Sequence, residues 1–222
     1  MIWFENVKKW FRTPGGYKYV ARNINCTFPS GVSVGLLGRN GAGKSTLMQM
    51  IGGRMQPNSG RIITSGSVSW PVGFSGSFSR DMTGAQNTRF IARVYGVDTQ
   101  SLMDFVEEFA ELGHHFHVPF RTYSSGMKSR LAFGVSIGIP FDTYLVDEVT
   151  SVGDANFKNK SKLYFQDRLK NAGAVVVTHS MTQIRALCQA GAVLENGTLT
   201  YYPNVEDAIA HHEINMGTDA DE

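Results

Sequence analysis

The first thirty residues alternate between apolar and polar side chains, which is the pattern of half-buried β-strands. The strands predicted in this part of the chain are residues 2–7, 17–21 and 24–28, with shorter ones at 61–64 and 68–70. Segments rich in proline and glycine, Pro14-Gly15-Gly16 and Pro29-Ser30-Gly31, stand between or after them and favour turns. Short strands joined by such turns predict an antiparallel sheet.

Between Thr83 and Leu112 the spacing of the apolar residues changes to three or four, which indicates helices. The residues that follow this spacing are Ile91, Val94 and Tyr95, and then Leu102, Phe105, Val106, Phe109 and Leu112. We therefore predict a helical subdomain over residues 82–139.

Three short apolar runs are typical of strands that are buried on both faces. They are residues 32–37, 143–146 and 174–177, and segments of helical pattern lie between them. Parallel strands covered by helices produce this arrangement, so we predict a single α/β domain with a mixed sheet. Residues 1–81 and 140–210 would form its core together with the antiparallel β subdomain, and the polar residues 211–222 a flexible tail.

Composition excludes several classes of function. The chain has 222 residues, of which 42% are hydrophobic, and a net charge of +2, which is too small to indicate binding to nucleic acid. Its two cysteines, Cys26 and Cys188, are far apart and are expected to be reduced thiols, with a disulfide as the alternative. It contains neither an apolar run of membrane-spanning length nor a signal peptide, so we expect a cytoplasmic protein.

A glycine-rich loop follows the first buried run. It reads Gly-Arg-Asn-Gly-Ala-Gly-Lys-Ser-Thr over residues 38–46, and a predicted helix begins directly after it. Strand, loop and helix in this order are the context of a phosphate-binding loop, in which backbone amides and the helix N-terminus attract an anion. The alternative, a glycine-rich turn without a ligand, is disfavoured by this context.

The loop sequence predicts which of its residues contact ATP and which residue binds Mg²⁺. Lys44 is expected to reach the β- and γ-phosphates, and Ser45 to place its hydroxyl on Mg²⁺. The loop residues expected to contact the nucleotide are Gly38, Asn40, Gly41, Ala42, Gly43, Lys44, Ser45 and Thr46.

Two acids, Asp147 and Glu148, follow the buried run at 143–146. Carboxylates at the C-terminal end of a parallel strand face the crevice where ligands bind. Asp147 is therefore a candidate ligand of Mg²⁺, and Glu148 a candidate general base that polarises water for attack on the γ-phosphate. A solvated strand end is the alternative, and the phosphate loop favours the catalytic hypothesis.

Three further segments complete an ordered set of motifs. Tyr123-Ser124-Ser125-Gly126-Met127 precedes the two acids, Val149 to Asp154 follows them, and Val177-Thr178-His179-Ser180 comes later. Together with the phosphate loop, the set resembles the nucleotide-binding subunits of ABC transporters over nearly the whole chain. In that family a Walker A loop, a signature sequence, a Walker B strand with a trailing Glu, a D-loop and a switch His occur in this order.

The resemblance implies a P-loop NTPase fold and a mechanism. Two copies of the chain would pack head to tail and enclose two ATP molecules, each between the phosphate loop of one copy and the signature of the other. Ser124, Ser125 and Gly126 would then bind the γ-phosphate at a helix N-terminus, although an ordinary helix cap is the alternative for Ser124. His179 would contact the same phosphate and orient the water, and Asp154 would belong to the D-loop.

The chain also departs from the family pattern. Ser125 and Met127 replace the usual Gly and Gln of the signature, and Val149 replaces the usual Pro. The segment 70–78 lacks the glutamine of the family's Q-loop, and Gln86 stands too late to replace it. For the aromatic residue that stacks on adenine, Tyr17 and Tyr19 are candidates, with packing on the sheet as the alternative for each.

These departures resemble the ATPase subunits of Gram-negative capsular polysaccharide exporters, and the segments 12–16, 69–73, 82–84, 123–127 and 145–154 fit that group. The resemblance implies a transmembrane permease as partner, further periplasmic and outer-membrane export components, and a position on the cytoplasmic face of the inner membrane. Exporters of O-antigen or teichoic acid remain alternatives, although the O-antigen ATPases often carry an extra C-terminal domain. A soluble ABC ATPase without a transport role and a non-catalytic nucleotide sensor are the hypotheses from other classes.

Overall fold

A computed structural model describes residues 1–74, 76, 78–147 and 154–217 of the chain. Its strands are β1 (Ile2–Thr13), β2 (Gly16–Phe28), β3 (Ser33–Leu37), β4 (Ser59–Thr64), β5 (Val68–Pro71), β6 (Thr143–Asp147), β7 (Gly173–Val177), β8 (Ala190–Glu195) and β9 (Thr198–Tyr202). Its α-helices are α1 (Lys44–Ile51), α2 (Gly84–Tyr95), α3 (Thr99–Ala110), α4 (Ser125–Gly138), α5 (Ala155–Leu169), α6 (Met181–Leu187) and α7 (Val205–Gly217). Short 3₁₀ helices lie at Gly113–His117 and Phe120–Thr122.

The antiparallel sheet has the strand order β2-β1-β4, which confirms the prediction of an antiparallel sheet. The strands predicted at 17–21 and 24–28 are wrong as separate elements, since both belong to the single strand β2. The polar residues between them mark an irregularity of the ladder instead of a turn. Asn6 in β1 and Asn23 in β2 have positive φ angles of 51° and 67°, a conformation that asparagine tolerates better than most residues.

The second sheet has the strand order β5-β6-β7-β3-β8-β9. The pairs β6–β7, β7–β3 and β3–β8 are parallel, and β8–β9 is antiparallel, so the sheet is mixed as predicted. All five residues of β3 and all five of β7 are buried, which explains why their sequences are continuous apolar runs. The parallel pairing brings the C-terminal ends of β3, β6 and β7 to one edge of the sheet.

Contacts divide the chain into two compact units, which are 1–69 with 141–149 and 169–222, and 70–140 with 150–168. The first unit contains both sheets and a core built from residues such as Phe4, Phe28, Leu47 and Leu194. Regular structure in this unit extends to Gly217 at the end of α7, whereas the sequence analysis expected a flexible tail from residue 211. Hydrogen bonds explain the difference, because Tyr202 Oη lies 2.9 Å from His211 Nδ1 and Asn215 bonds to Glu195.

The second unit is helical, and its core is aromatic. The ring of Phe109 packs on Phe133 and Phe157, with centroids 6.0 and 5.2 Å away. This unit extends beyond the predicted limits of 82–139 at both ends. Trp70 Nε1 donates a hydrogen bond of 2.9 Å to Ser136 Oγ on α4, and Arg168 Nε donates one of 2.8 Å to the carbonyl of Ile137. Side chains distant in sequence therefore decide where the helical unit begins and ends.

Two findings concern the predictions about the cysteines and about membrane-spanning segments. Cys26 and Cys188 are both free, and burial raises the pKa of their thiols to about 11 and about 12, respectively. In the described ranges, none of the helices combines the length and the apolar character that crossing a bilayer requires.

Candidate functional site

The loop between β3 and α1 can be built only with glycine at two positions. Gly38 and Gly43 have φ angles of 147° and 110°. A Cβ atom at Gly38 would lie 2.4 Å from the carbonyl oxygen of Leu194, and one at Gly43 would lie 2.1 Å from Val20 Cγ1. The backbone therefore packs tightly against β2 and β8, as only glycine allows.

The loop ends at the N-terminus of α1, where the first backbone N–H groups have no partner within the helix. Gly43 occupies the cap position and provides no side-chain hydrogen bond to these groups. The first turn of α1 also contains no acidic residue. The helix dipole and the open N–H groups together form a surface that favours an anion.

Lys44 lies folded over the loop. Its Nζ donates hydrogen bonds to the carbonyl oxygens of Gly38 and Arg39, at 2.5 and 3.1 Å. Burial lowers the pKa of Lys44, and the negative charge of Asp147 opposes this shift. The ammonium group is thus held beside the loop and near the C-terminal end of β6.

A cleft of about 360 Å³ opens over this loop, which is within the usual size range of small-ligand sites. Its lining contains Asn40, Gly41, Gly43, Lys44, Ser45, Thr46, Asp147 and His179 from the predicted site, and also Phe11, Lys18, Val20 and Val177. The structure thus brings the predicted loop residues, Asp147 and His179 together at one cleft. Gly38 and Ala42 face a neighbouring cavity instead, and Gly38 contributes its carbonyl group to Lys44.

The position of His179 follows from its neighbours in the chain. His179 comes two residues after the buried strand β7 and just before Ser180, which caps α6. The hydroxyl groups of Thr178 and Ser180 both bond to Gln183, at 3.0 and 3.3 Å. These bonds fix the backbone on both sides of His179, whose exposed side chain lies at the cleft.

Hard oxygen ligands are available where the sequence analysis placed Mg²⁺. The hydroxyl of Ser45 and the carboxylate of Asp147 both line the cleft, and oxygen atoms of these types are the ligands that Mg²⁺ prefers. Glu148, the candidate general base, lies outside the described residues. Its role is therefore still a prediction from its place directly after Asp147.

The aromatic side chain that lines the cleft is Phe11. The sequence analysis had proposed Tyr17 and Tyr19 as the residues that stack on the adenine base. The β1–β2 hairpin pairs Phe11 with Lys18, so both project from the same face of the sheet. Tyr17 and Tyr19 are the sequence neighbours of Lys18 and project from the opposite face. Tyr19 lies under the guanidinium of Arg22, 4.4 Å from its ring centroid.

The sequence analysis did not identify Phe11 because it did not work out the register of this hairpin. The tight turn at Pro14-Gly15 pairs Thr13 with Gly16, and counting back from that pair places Phe11 opposite Lys18. Sequence reasoning used the turn only to separate two strands, and it therefore missed Phe11, Lys18 and Val20 as residues of the cleft.

The signature segment lies in the helical unit. Ser124 caps α4, and its Oγ accepts a hydrogen bond of 3.2 Å from the backbone N–H of Met127. This bond uses the hydroxyl as an acceptor and leaves its proton for a second partner. Ser124 and Ser125 are exposed, and a Cβ atom at Gly126 would meet only Ser124 Oγ, at 4.0 Å. The helix cap and an open, anion-attracting surface are therefore compatible at this position.

Asp154 has two structural partners in the same unit. Its Oδ1 accepts a hydrogen bond of 2.9 Å from the backbone N–H of Phe157, and its Oδ2 lies 2.7 Å from Arg130 Nη2 on α4. The hydrogen bond from Phe157 is the main cause that lowers the pKa of Asp154, and Arg130 contributes in the same direction. Arg130 thus connects the helix that follows the signature to the start of α5.

The segment without the expected glutamine contributes to packing. Phe78 is 8% exposed, and its ring forms an edge contact with Phe120 at 5.2 Å, so this residue packs in the core. Gln86 accepts a hydrogen bond from the backbone of Thr83 and returns one from its own N–H, which is a capping box at the start of α2.

Comparisons with known proteins agree with this geometry. The family described as ABC transporter matches residues 21–151. The chain is 47% identical to the polysialic acid transport ATP-binding protein KpsT of Escherichia coli over 222 residues, which cover 99% of both chains. It is 41% identical to the capsule polysaccharide export ATP-binding protein CtrD of Neisseria meningitidis, over 96% of this chain and 98% of that protein.

Two more distant matches extend the comparison. The teichoic acids export ATP-binding protein TagH of Bacillus anthracis is 33% identical over 95% of this chain, which spans 39% of that protein. The ATP-binding cassette MJ0796, solved as a dimer in a post-hydrolysis state with ADP and Pi, superimposes with a TM-score of 0.74 at 20% identity. That superposition covers 92% of this chain and 99% of the other, and it supports the fold.

Proposed function

Because this chain belongs to the ABC transporter family of ATP-binding proteins, we propose that it is the ATP-hydrolysing subunit of an exporter that moves a capsular polysaccharide across the inner membrane. The observation that carries this proposal is the cleft in which Lys44, Ser45, Asp147 and His179 meet at the uncapped N-terminus of α1.

The residues of the cleft fit both ATP and Mg²⁺. Gly38 and Gly43 let the loop pack against Leu194 and Val20, where a Cβ atom would overlap. The helix N-terminus and Lys44 supply positive charge for the β- and γ-phosphates. Ser45 and Asp147 would hold Mg²⁺, which neutralises the charge of the phosphates as the terminal bond breaks.

Hydrolysis requires a base and a means of placing water. In this proposal the carboxylate of Glu148 accepts a proton from water as that water attacks the γ-phosphorus, and the bond to the β-phosphate oxygen breaks. His179, held beside the cleft by the bonds of Thr178 and Ser180 to Gln183, contacts the γ-phosphate. Lys44 stays protonated and balances the charge of the leaving phosphate.

A second copy of the chain would complete each site. The exposed N-terminus of α4, with Ser124, Ser125 and Gly126, provides N–H groups and a hydroxyl proton for an anion. In a head-to-tail dimer, this surface of one copy would cover the γ-phosphate bound by the other, and Asp154 would lie near the dimer contact. ATP binding would close the dimer and hydrolysis would reopen it.

The names of the relatives support a capsular polysaccharide as the exported polymer. Relatives with 47% and 41% identity over nearly their full length are named for the transport of polysialic acid and capsule polysaccharide, whereas the teichoic acid protein is more distant. Capsule export is thus preferred, with O-antigen or teichoic acid as alternatives. The proposal places the chain on the cytoplasmic face of the inner membrane, bound to a transmembrane permease that connects to periplasmic and outer-membrane components.

Removal of the chain from its own cell tests this proposal. Cells that lack it are expected to keep the polysaccharide inside, while the surface loses it, because the permease would have no source of energy. Immunodetection of the polymer in intact and in lysed cells measures both pools. A surface pool that stays at the wild-type level would contradict a role in export, and a defect in teichoic acid or O-antigen alone would select an alternative polymer.

Phe11→Ala is expected to raise the KM for ATP by about tenfold and to leave kcat within about twofold. Stacking of a base on an aromatic ring contributes about 1–3 kcal/mol, and Phe11 is remote from the reacting phosphate in this proposal. Steady-state phosphate release over a range of ATP concentrations measures both constants.

Tyr17→Ala is the matched control, since Tyr17 is 62% exposed and projects from the other face of the hairpin. Its KM should equal that of the wild-type chain. A larger increase in KM for Tyr17→Ala than for Phe11→Ala would show that adenine stacks on Tyr17, as the sequence analysis considered.

A further inference from the structure

The β1–β2 hairpin places a lysine beside the phosphate loop. Lys18 lines the cleft and also the neighbouring cavity of about 470 Å³, so this residue borders both. A Cβ atom built at Gly41 would lie 4.0 Å from Lys18 Nζ. The ammonium group is thus next to the backbone of the loop, although Lys18 belongs to the antiparallel sheet and the loop follows a strand of the mixed sheet.

The sequence around Lys18 offers it no counter-ion. Residues 8–22 of the hairpin contain three lysines, two arginines and no acidic residue, and the loop at 38–46 contains one lysine, one arginine and no acidic residue. In the part of the chain that the structure describes, Lys18 forms neither an ion pair nor a hydrogen bond. By contrast, Lys9 Nζ on the same hairpin donates a hydrogen bond of 2.8 Å to the carbonyl of Gln56. Lys18 therefore keeps its full capacity to donate hydrogen bonds to a ligand.

The carboxylates that line the cleft and the cavity do not replace this missing counter-ion. Glu195 accepts a hydrogen bond from a side chain of α7. Asp147 lies at the C-terminal end of β6, and its negative charge acts on Lys44. Among the described residues that line these two spaces, the cations Lys18, Arg39 and Lys44 outnumber the two carboxylates. The surroundings of Lys18 thus favour an anionic ligand.

We infer that Lys18 binds a phosphate group of the nucleotide as a second cation beside Lys44, and so contributes to the affinity for ATP from outside the phosphate loop. The inference deepens the proposed function and rests on it, since that function supplies the nucleotide. An ammonium group is a compact charge with three rotatable donors, and its hydrogen bonds to phosphate oxygens are among the strong ones.

The register of the hairpin favours the phosphates over the base as the partner of Lys18. Phe11 and Lys18 are paired and project from the same face of the sheet. In the proposed function the base stacks on Phe11 and the phosphates lie at the loop, so the nucleotide extends from Phe11 toward Gly41. Lys18 Nζ lies at the Gly41 end of this path. The anionic part of the nucleotide is therefore the part that comes within reach of the ammonium group.

Lys18→Gln is expected to raise the Kd for a non-hydrolysable ATP analogue with Mg²⁺ about tenfold, because a charge-assisted hydrogen bond to phosphate is lost. Lys18→Arg retains the charge and should bind within about threefold of the wild-type chain. The difference between Lys18→Gln and the wild type should decrease at high salt, since the charge of an exposed lysine is screened. Isothermal titration calorimetry measures each Kd.

Inorganic tripolyphosphate separates the phosphates from the base. It carries a phosphate chain without a base or a ribose, so Lys18→Gln should weaken its binding by the same factor as that of the ATP analogue. Phe11→Ala removes the ring that is proposed to stack on the base, and it should leave the binding of tripolyphosphate unchanged. Displacement of a fluorescent ATP analogue by tripolyphosphate measures the affinity of each variant.

Lys8→Gln is the matched control, because Lys8 is an exposed lysine of the same hairpin that lines neither the cleft nor the neighbouring cavity. This variant should bind both ligands as tightly as the wild type. If Lys18→Gln binds them as tightly as Lys8→Gln, the inference about Lys18 is wrong, although the proposed function would stand. If the wild-type chain binds no ATP analogue, the proposed function itself is contradicted.

Two other results would also overturn the inference. If Lys18→Gln binds the ATP analogue more weakly but tripolyphosphate as the wild type does, Lys18 acts on the base side of the nucleotide by supporting Phe11. If Lys18→Arg binds as weakly as Lys18→Gln, the positive charge at this position is not what nucleotide binding requires.

Discussion

Glu148→Gln is expected to bind ATP as tightly as the wild-type chain and to lose turnover by about 10²-fold or more, a typical contribution of a general base. The amide has nearly the shape of the carboxylate but cannot accept the proton of the attacking water. The binding groups, Lys44 and the amides of the loop, are unchanged. Phosphate release measures turnover, and titration with a fluorescent ATP analogue measures binding.

Because bound ATP persists in this variant, the dimer should also accumulate in its closed form with Mg-ATP. Size-exclusion chromatography with light scattering detects that species. Glu108→Gln provides the control, as Glu108 is an exposed carboxylate on α3 in the other unit. A Glu148→Gln variant that hydrolyses ATP at the wild-type rate would show that another group is the base.

Gly43→Ala is the second substitution with a large expected effect. The new Cβ would lie 2.1 Å from Val20 Cγ1 and would sit on a backbone with φ of 110°. Backbone strain of this kind costs about 1–3 kcal/mol, which corresponds to roughly 5- to 150-fold in affinity if the strain must be overcome when the loop binds phosphate. The overlap with Val20 should add to this loss, and calorimetric titration with ATP measures it.

Two companion variants separate strain from overlap. Gly41→Ala places an alanine at φ of 79°, where the nearest atom is Lys18 Nζ at 4.0 Å, so it adds strain without overlap and should lose less affinity. Val20→Ala removes both Val20 methyl groups, so Gly43→Ala/Val20→Ala should recover part of the lost binding. A double variant no better than Gly43→Ala, after correction for Val20→Ala alone, would exclude the overlap as the cause.

Much of the cleft was predictable because its determinants are local. The phosphate loop needs glycine at fixed positions and a strand and a helix at its two ends, and these requirements all fall within residues 32–51. Asp147 and His179 were predictable for a related reason. Each follows a buried parallel strand, and the C-terminal ends of parallel strands meet at one edge of the sheet.

Other features depended on pairings that a single sequence does not display. The aromatic side chain that enters the cleft from the β1–β2 hairpin is set by the pairing of Phe11 with Lys18, and a shift of one residue would have presented Tyr17 or Tyr19 instead. The extent of the helical unit depended on contacts such as Trp70 with Ser136 and Arg168 with Ile137. The residues in these contacts are tens of positions apart in sequence.

The sequence by itself determined the kind of site and its order along the chain, because loop geometry and strand ends are encoded by neighbouring residues. Only the tertiary structure decided which face of α2 is buried. Helical spacing grouped Ile91 with Val94 and Tyr95, but Ile91 is buried while the other two are exposed. The physical reason is that helical spacing groups residues only within a broad arc of the helix surface, whereas the packing of distant elements selects which part of that arc faces the core.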